Sequence, residues 1–438
     1  MNRKRITFWL LIMVAILLSG CSVRTIDQMY CLPKRSEGYL NLQSAMDEAM
    51  VGLEYHAPIS GSNQQPVQTA DLDGDGDMEF LVFARGNDKK PLKILIFTND
   101  KENYYLSDTI EGTGTAFDQV LYIRMGEKPG VNLVVGRQVS DQVLRPLSVY
   151  GMNNGRCEQI MTTGYSRFMS TDLNGNGKDE ILVLRPGNDS SENGVAELYS
   201  MTDGIVERSQ EVTMSEPVDS IKRIMVNRLN DGIPAVYVAS DVNGTAIITD
   251  VYATLDGVFT NVSLSNESGT SVQTLRNYYV YADDVDMDGV LELPDLIPVQ
   301  SALNESNENQ HLIRWYAMNS DGSEVDKLYS YHNFLGGWYL KLDNHIAPNI
   351  SVSQLGNSYE FSYLETNGKK TPLMSVFVFT GQQREEQAVE DNRFVLYRNE
   401  STVYAAHLEV ASANYNITQD SLINAFHLIV ENWNAGDA

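Results

Sequence analysis

The chain has 438 residues, room for about three average domains or for one large repeat domain with attachments. Its 58 Asp and Glu against 32 Lys and Arg leave a formal charge of −26, which argues against a basic face for nucleic-acid phosphates or for anionic lipid. Hydrophobic residues at 42 % and aromatics at 9 % supply a real core, so the acidity is that of a folded chain and not of a disordered tail.

The first elements give an address. Arg3-Lys4-Arg5 is a positive segment, and Ile6 to Leu18 is a run of 13 residues without charge. That run is short for a membrane span, which needs about 20 residues, and suits the apolar centre of a secretory signal. Leu18-Ser19-Gly20-Cys21 follows and resembles the lipobox of bacterial lipoproteins. The resemblance implies removal of residues 1–20, acylation of Cys21 and an extracytoplasmic protein. Such a protein is held by lipid at a bacterial membrane, on the cell surface or the periplasmic face. Several acyl chains anchor stably, at roughly 0.8 kcal/mol per buried methylene. No later stretch approaches 18 uncharged apolar residues, so no second membrane segment is expected. Residues 21–37 read as a tether. Residues 38–65 read as an N-terminal helical segment, because Leu40, Leu42, Ala45, Met46, Ala49, Met50 and Leu53 have helical spacing. Cys31 in the tether and Cys157 are the two other cysteines. An oxidising compartment permits a bond between them, and free thiols are the alternative.

Three segments carry the chemistry. Asp71-Leu-Asp73-Gly-Asp75-Gly-Asp77-Met-Glu79, Asp172-Leu-Asn174-Gly-Asn176-Gly-Lys178-Asp-Glu180 and Asp284-Val-Asp286-Met-Asp288-Gly-Val290-Leu-Glu292 all read D-x-[DN]-x-[DN]-G-x-x-E. A hard cation such as Ca²⁺ takes six to eight oxygens at about 2.3–2.6 Å. Side chains at positions 1, 3 and 5 of a tight loop converge on one point, and glycine at position 6 permits the turn. Position 7 offers a carbonyl, and the glutamate at position 9 closes the shell. Up to three calcium ions are therefore expected, with lower ligand charge in the second loop, where Asn174 and Asn176 replace carboxylates. Helix–loop–helix sites are excluded, since Val82 and Val183 stand where an acid is needed at position 12 and only the third loop has one, Asp295. Phe80-Leu-Val-Phe83 and Ile181-Leu-Val-Leu184 follow the first two loops as buried-strand patterns. Pro294 after the third suits a strand start or bulge. Each loop thus joins two strands.

The closing glutamates are 101 and 112 residues apart, about twice 50. Unmarked repeats fill both gaps: Tyr122–Met125, a turn at 126–130 and Asn132–Gly136, then Lys222–Val226, a turn at 230–232 and Ala235–Ala239. Positions 79, 132, 180, 235 and 292 are equivalent, with steps of 48 to 57 residues. Each is followed by two further strand patterns, and four strands in about 50 residues make a propeller blade. The strand–loop–strand units resemble the FG-GAP/VCBS repeats of bacterial surface proteins and of the integrin α-subunit head. The resemblance spans about 66–335, specific at the three loops and weak elsewhere. It implies structural calcium held by Asp71, Asp73, Asp75, Asp77 and Glu79 in the first loop. The second set is Asp172, Asn174, Asn176, the Lys178 carbonyl and Glu180. The third is Asp284, Asp286, Asp288, the Val290 carbonyl and Glu292. The expected fold is mainly β: a propeller over 66–344, with five visible blades and five to seven possible. Residues 345–438 follow as a small α+β domain, or as a last blade plus a helix. In that helix Leu422, Phe426, Ile429, Val430 and Trp433 share a face behind a Thr418 cap.

The six histidines form no zinc spacing, and no G-x-S-x-G, P-loop or G-x-G-x-x-G follows a strand. His332, near Trp338 and Tyr339, is the most site-like histidine, with a packed or surface histidine as the bland reading. Trp315, Tyr316, Trp338 and Tyr339 could line a sugar-binding surface, and core packing is the favoured reading. With no catalytic constellation, the chain is expected not to be an enzyme. The expected role is a surface-tethered recognition module for a protein or a glycan. An extracellular polysaccharide-acting enzyme and an envelope assembly factor are the alternatives.

Overall fold

The computed structural model describes residues 37–100, 103–139, 144–187, 193–277, 280–299, 311–334 and 336–429. The signal segment, Cys21 and Cys31 lie outside the described residues. The chain is mainly β, and the strands of the described residues form six antiparallel sheets in chain order. The first sheet comprises Val67–Ala70, Glu79–Arg85, Leu92–Asp100 and Asn103–Gly112, with the short strand Glu54–Tyr55 beside Arg85. The second comprises Ala116–Ile123, Asn132–Gln138, Arg145–Asn153 and Arg156–Tyr165, and the third Arg167–Thr171, Glu180–Pro186, Gly194–Thr202 and Ile205–Thr213. Ile221–Arg228, Pro234–Val242, Ala246–Leu255 and Val258–Asn261 form the fourth. The fifth holds Leu293–Pro298, His311–Met318, Glu324–Asn333 and Trp338–Leu342, and gains Phe426–Leu428 from the C-terminal region. The sixth holds Ile350–Leu355, Ser358–Leu364, Lys370–Thr380, Phe394–Arg398 and Thr402–Leu408.

The repeat markers fall where the sequence period puts them. Glu79, Asn132 and Glu180 each begin the second strand of their sheet, Ala235 is one residue into its strand, and Glu292 precedes Leu293. In the fifth sheet the first strand is reduced to a bridge between Asp283 and Glu292. Pro294 accordingly lies on an edge strand, where its missing N–H leaves no ladder bond unmade.

Alternate residues of the same strand serve two different interfaces, because both faces of the inner strands are covered. Leu81 and Phe83 pack with Leu133 and Val135 between the first and second sheets, while Val134 packs with Ile181 and Val183 between the second and third. Leu182 and Leu184 meet Val236 and Val238, and Tyr237 meets Leu293 and Tyr316. The row ends with Tyr331 and Trp338 against Val352 and Phe361. Face-to-face antiparallel sheets in sequence order are a propeller-like arrangement. Among the described residues no core cluster joins the first sheet to the sixth. The outer face of the first sheet is instead covered by α1 (Glu37–Ala49), whose Leu42, Ala45 and Met46 lie on Val82, Leu95 and Phe97. On the far side of the sixth sheet, Ala388 at the end of α2 (Arg384–Gln387) packs with Phe379 and Val403. Arg393 covers the rings of Phe377 and Phe379, its guanidinium 5.0 and 5.4 Å from their centroids.

The C-terminal helix departs from expectation. Thr418 caps α3 (Gln419–Ala425) in a reciprocal capping box with Ser421. The helix stops at Ala425, because Phe426–Leu428 pairs with Trp338–Leu340 and Phe426 stacks on Trp338 at 5.6 Å. The expected helical face through Ile429 is therefore not formed, and Val430 and Trp433 lie outside the described residues. Trp315, Tyr316 and Trp338 are fully buried, core residues and not a sugar-binding surface. His332 is buried against Tyr339 at 4.9 Å and shares a 2.8 Å hydrogen bond with Ser330. Burial lowers its pKa to about 3, as befits a packed neutral imidazole.

Candidate metal centres

The three loops fold alike, and the reason is local. In each, the carboxylate at position 1 accepts from the glycine N–H at position 6: Asp71 from Gly76 at 3.2 Å, Asp172 from Gly177 at 2.8 Å, Asp284 from Gly289 at 3.0 Å. The side chain at position 5 accepts from the N–H at position 7, at 2.8, 2.8 and 2.9 Å. The closing glutamate accepts from the N–H at position 2: Glu79 from Leu72 at 2.8 Å, Glu180 from Leu173 at 2.9 Å, Glu292 from Val285 at 2.9 Å. Position 4 is left-handed in every copy, with φ of +78° at Gly74, +72° at Gly175 and +63° at Met287. Glycine adopts that conformation freely; methionine pays for its Cβ.

Two of the loops gather carboxylates that could hold a metal ion. Oxygens of Asp71, Asp73 and Glu79 lie within 4.8 Å of one another, as do those of Asp284, Asp286 and Glu292. Asp75 and Asp77 are exposed and stand outside the first cluster. Asp288 is turned to Lys327, at 2.6 Å, which holds its carboxyl below the usual range. Burial, reinforced by the neighbouring aspartates, pushes Glu79 and Glu292 up to about 7. The donor set suits a hard cation, since all converging atoms are carboxylate oxygens. In addition, the buried Oε1 of Glu292 has no hydrogen-bond partner. At positions 1, 3, 5 and 9 the third sheet's loop brings only Asp172 and Glu180 as carboxylates. There Asn174 Nδ2 donates to Glu180 Oε1 at 2.5 Å, and the Lys178 ammonium pairs with Glu127 across the sheet boundary.

Sequence reasoning missed the residues that surround the loops. The Asp71 carbonyl accepts from Val131 N–H at 3.0 Å, which docks the first loop on the second sheet's turn at 126–130. A Cβ on Gly74 would lie 2.2 Å from the Pro129 carbonyl carbon, so this contact needs glycine. Arg124 and Asp179 exchange two backbone-directed bonds of 2.7 and 3.0 Å, docking the third sheet's loop on the same turn region. Beside these contacts runs a groove of about 610 Å³, lined by Met125, Met152, Ile160 and Met201 together with Glu158 and Asp203. Its residues come from three sheets, and no local pattern marks them. Among the described residues Cys157 has no disulfide partner; it packs at the first interface, and burial pushes its thiol up to about 12. Its potential partner Cys31 is outside the described residues.

No family model matches the chain, and no curated protein matches it. Solved structures do, at low likeness. A protein of Lactobacillus plantarum is 12 % identical over 72 % of this chain and 86 % of its own, with a TM-score of 0.27. The exotype rhamnogalacturonan lyase YesX is 14 % identical over 73 % of this chain and 62 % of its own, with a TM-score of 0.27. A protein of Bacteroides uniformis provisionally described as a 6-phosphogluconolactonase is 12 % identical over 72 % of this chain and 85 % of its own, also at 0.27. The expectation that the chain is not an enzyme is corrected here. Two of these three similar structures are described as enzymes. Neither chemistry transfers to this chain at such TM-scores.

Proposed function

We propose that the chain is a bacterial lipoprotein held outside the cytoplasm by an acylated Cys21. In this reading its propeller-like row of sheets, an FG-GAP/VCBS-type array stabilised by calcium, is a recognition scaffold for a protein or a glycan. The observation that carries the recognition role is the groove of about 610 Å³ at the junction of three sheets. Its volume falls in the range of ligand sites, and its methionines give an adaptable apolar lining. The first acidic loop fixes one wall, because Asp73 lines the groove and Asp71 holds the turn opposite. The sequence order of Arg3-Lys4-Arg5, Ile6–Leu18 and Cys21 supports the anchor. Among the described residues no helix is long and apolar enough to cross a membrane.

The test is saturable binding of the full chain to an array of plant and host polysaccharides and purified envelope proteins. Binding that disappears in Met152→Glu and Met201→Glu, with unchanged thermal melting, supports the reading. Binding indifferent to both changes removes the groove from it, and release of product would make the groove an active site. Separately, Cys21→Ser should move the protein from the membrane to the soluble fraction. Retention at the membrane would end the anchor proposal.

A further inference from the structure

We infer that the loop at 172–180 takes no metal ion and is closed by its own amide, so that the chain binds two divalent cations and not three. This rests on the calcium reading of the loops at 71–79 and 284–292. The difference lies opposite the closing glutamate. In the fifth sheet Glu292 Oε1 is buried with no hydrogen-bond partner and faces a cluster with Asp284 and Asp286. In the third sheet the equivalent oxygen, Glu180 Oε1, is occupied by Asn174 Nδ2 at 2.5 Å.

The amide is held from both ends. Asn174 Oδ1 accepts from Asn176 N–H at 3.0 Å while its NH₂ reaches Glu180. Turning it over would set Oδ1 against a carboxylate oxygen and aim NH₂ at an N–H donor, losing both bonds. A cation needs that reversed orientation, because only the amide oxygen is a ligand. The NH₂ group therefore stands where the ion would stand, and supplies the positive end of a dipole to the glutamate. The rest of the loop is engaged by protein as well. Lys178 pairs with Glu127, and Asp179 accepts from Arg124 N–H at 3.0 Å and donates to its carbonyl at 2.7 Å. The loop is a clasp between the second and third sheets that needs no metal.

Equilibrium dialysis of the full chain against Ca²⁺ tests this. Two ions per chain are expected, falling to one in Asp71→Asn and to one in Asp284→Asn, and unchanged in Asp172→Asn. The double change Asn174→Asp with Asn176→Asp should raise the count to three. Three ions in the parent chain, or a drop in Asp172→Asn, overturns the inference, as does a double variant that stays at two. No bound ion at all overturns the calcium reading itself. Hydrogen exchange gives a second readout: on chelation the amides of Leu72 and Val285 should lose protection and that of Leu173 should keep it. Loss at Leu173 equal to the others counts against the clasp.

Discussion

In the first sheet's loop Glu79 gathers with Asp71 and Asp73; in the third sheet's loop Glu180 sits opposite Asn174. The two turns share the bonds from the amides at positions 2, 6 and 7 and the same left-handed glycines. They differ in whether the space beside the glutamate is filled by repelling oxygens or by an N–H donor. One sequence pattern can thus encode a turn without encoding a metal site. The turn needs an acceptor at position 1 and glycine at position 6, which Asp and Gly supply in all three copies. The site needs anionic oxygens at positions 1, 3 and 9 together, which only the first and last copies supply.

Removing the carboxylate at position 1 separates the two loops most strongly. Asp71→Ala or Asp284→Ala should abolish one calcium-dependent increment each, about 2.7 kcal/mol at 100 times the dissociation constant. Asp172→Ala should cost the same in calcium as in chelator. Denaturant titrations with and without calcium distinguish the two patterns, and a calcium-dependent loss in Asp172→Ala would erase the distinction.

A backbone test comes next. Gly74→Ala places a Cβ 2.2 Å from Pro129 in a left-handed residue, whereas Gly175→Ala meets nothing within 4 Å. The first should cost more than about 2 kcal/mol through strain and lost docking, and the second about 1 kcal/mol from its φ alone. Equal costs would show that the first loop does not depend on its contact with the neighbouring sheet.

Acidity gives a third test. Without metal, Glu79 and Glu292 hold their protons to about pH 7, while the unfolded chain releases them near its ordinary value. The folded state then binds more protons between the two values, so the metal-free fold loses stability as pH rises from about 4.5 to about 7. Calcium competes with those protons, so its stabilising effect should grow from pH 5 to pH 8, measured as the difference between paired melts. A flat difference would mean the glutamates are not ligands.

Smaller effects sharpen the picture. Met287→Gly relieves a left-handed methionine at a position that is glycine in both sister loops, and should add about 0.5–1 kcal/mol. Lys178→Met removes an exposed ion pair and should cost under about 1 kcal/mol with no calcium dependence.

Much of this architecture is legible in the amino-acid sequence. Equivalent positions at 79, 132, 180, 235 and 292 mark successive sheets because each loop or turn opens a strand buried on both faces. The loops are legible because the side chains that close them are local. What escapes the sequence is set by distant partners. The direction of the Asn174 amide depends on Glu180 and Asn176 in the folded turn, and the diversion of Asp288 depends on Lys327, 39 residues away. The end of the last helix is decided by the free edge of Trp338–Leu342 and not by its own periodicity. The covering of the row's two ends by α1 and by the α2 region shows only in how sheets stack. So does the meeting of Met125, Met152 and Met201 in one groove.

Calcium stabilisation is read most plainly from the thermal melt of the full chain in calcium, in excess chelator, and after calcium is restored. If calcium stabilises the loops, the midpoint falls on chelation and returns on readdition. A midpoint that stays the same in all three would contradict it.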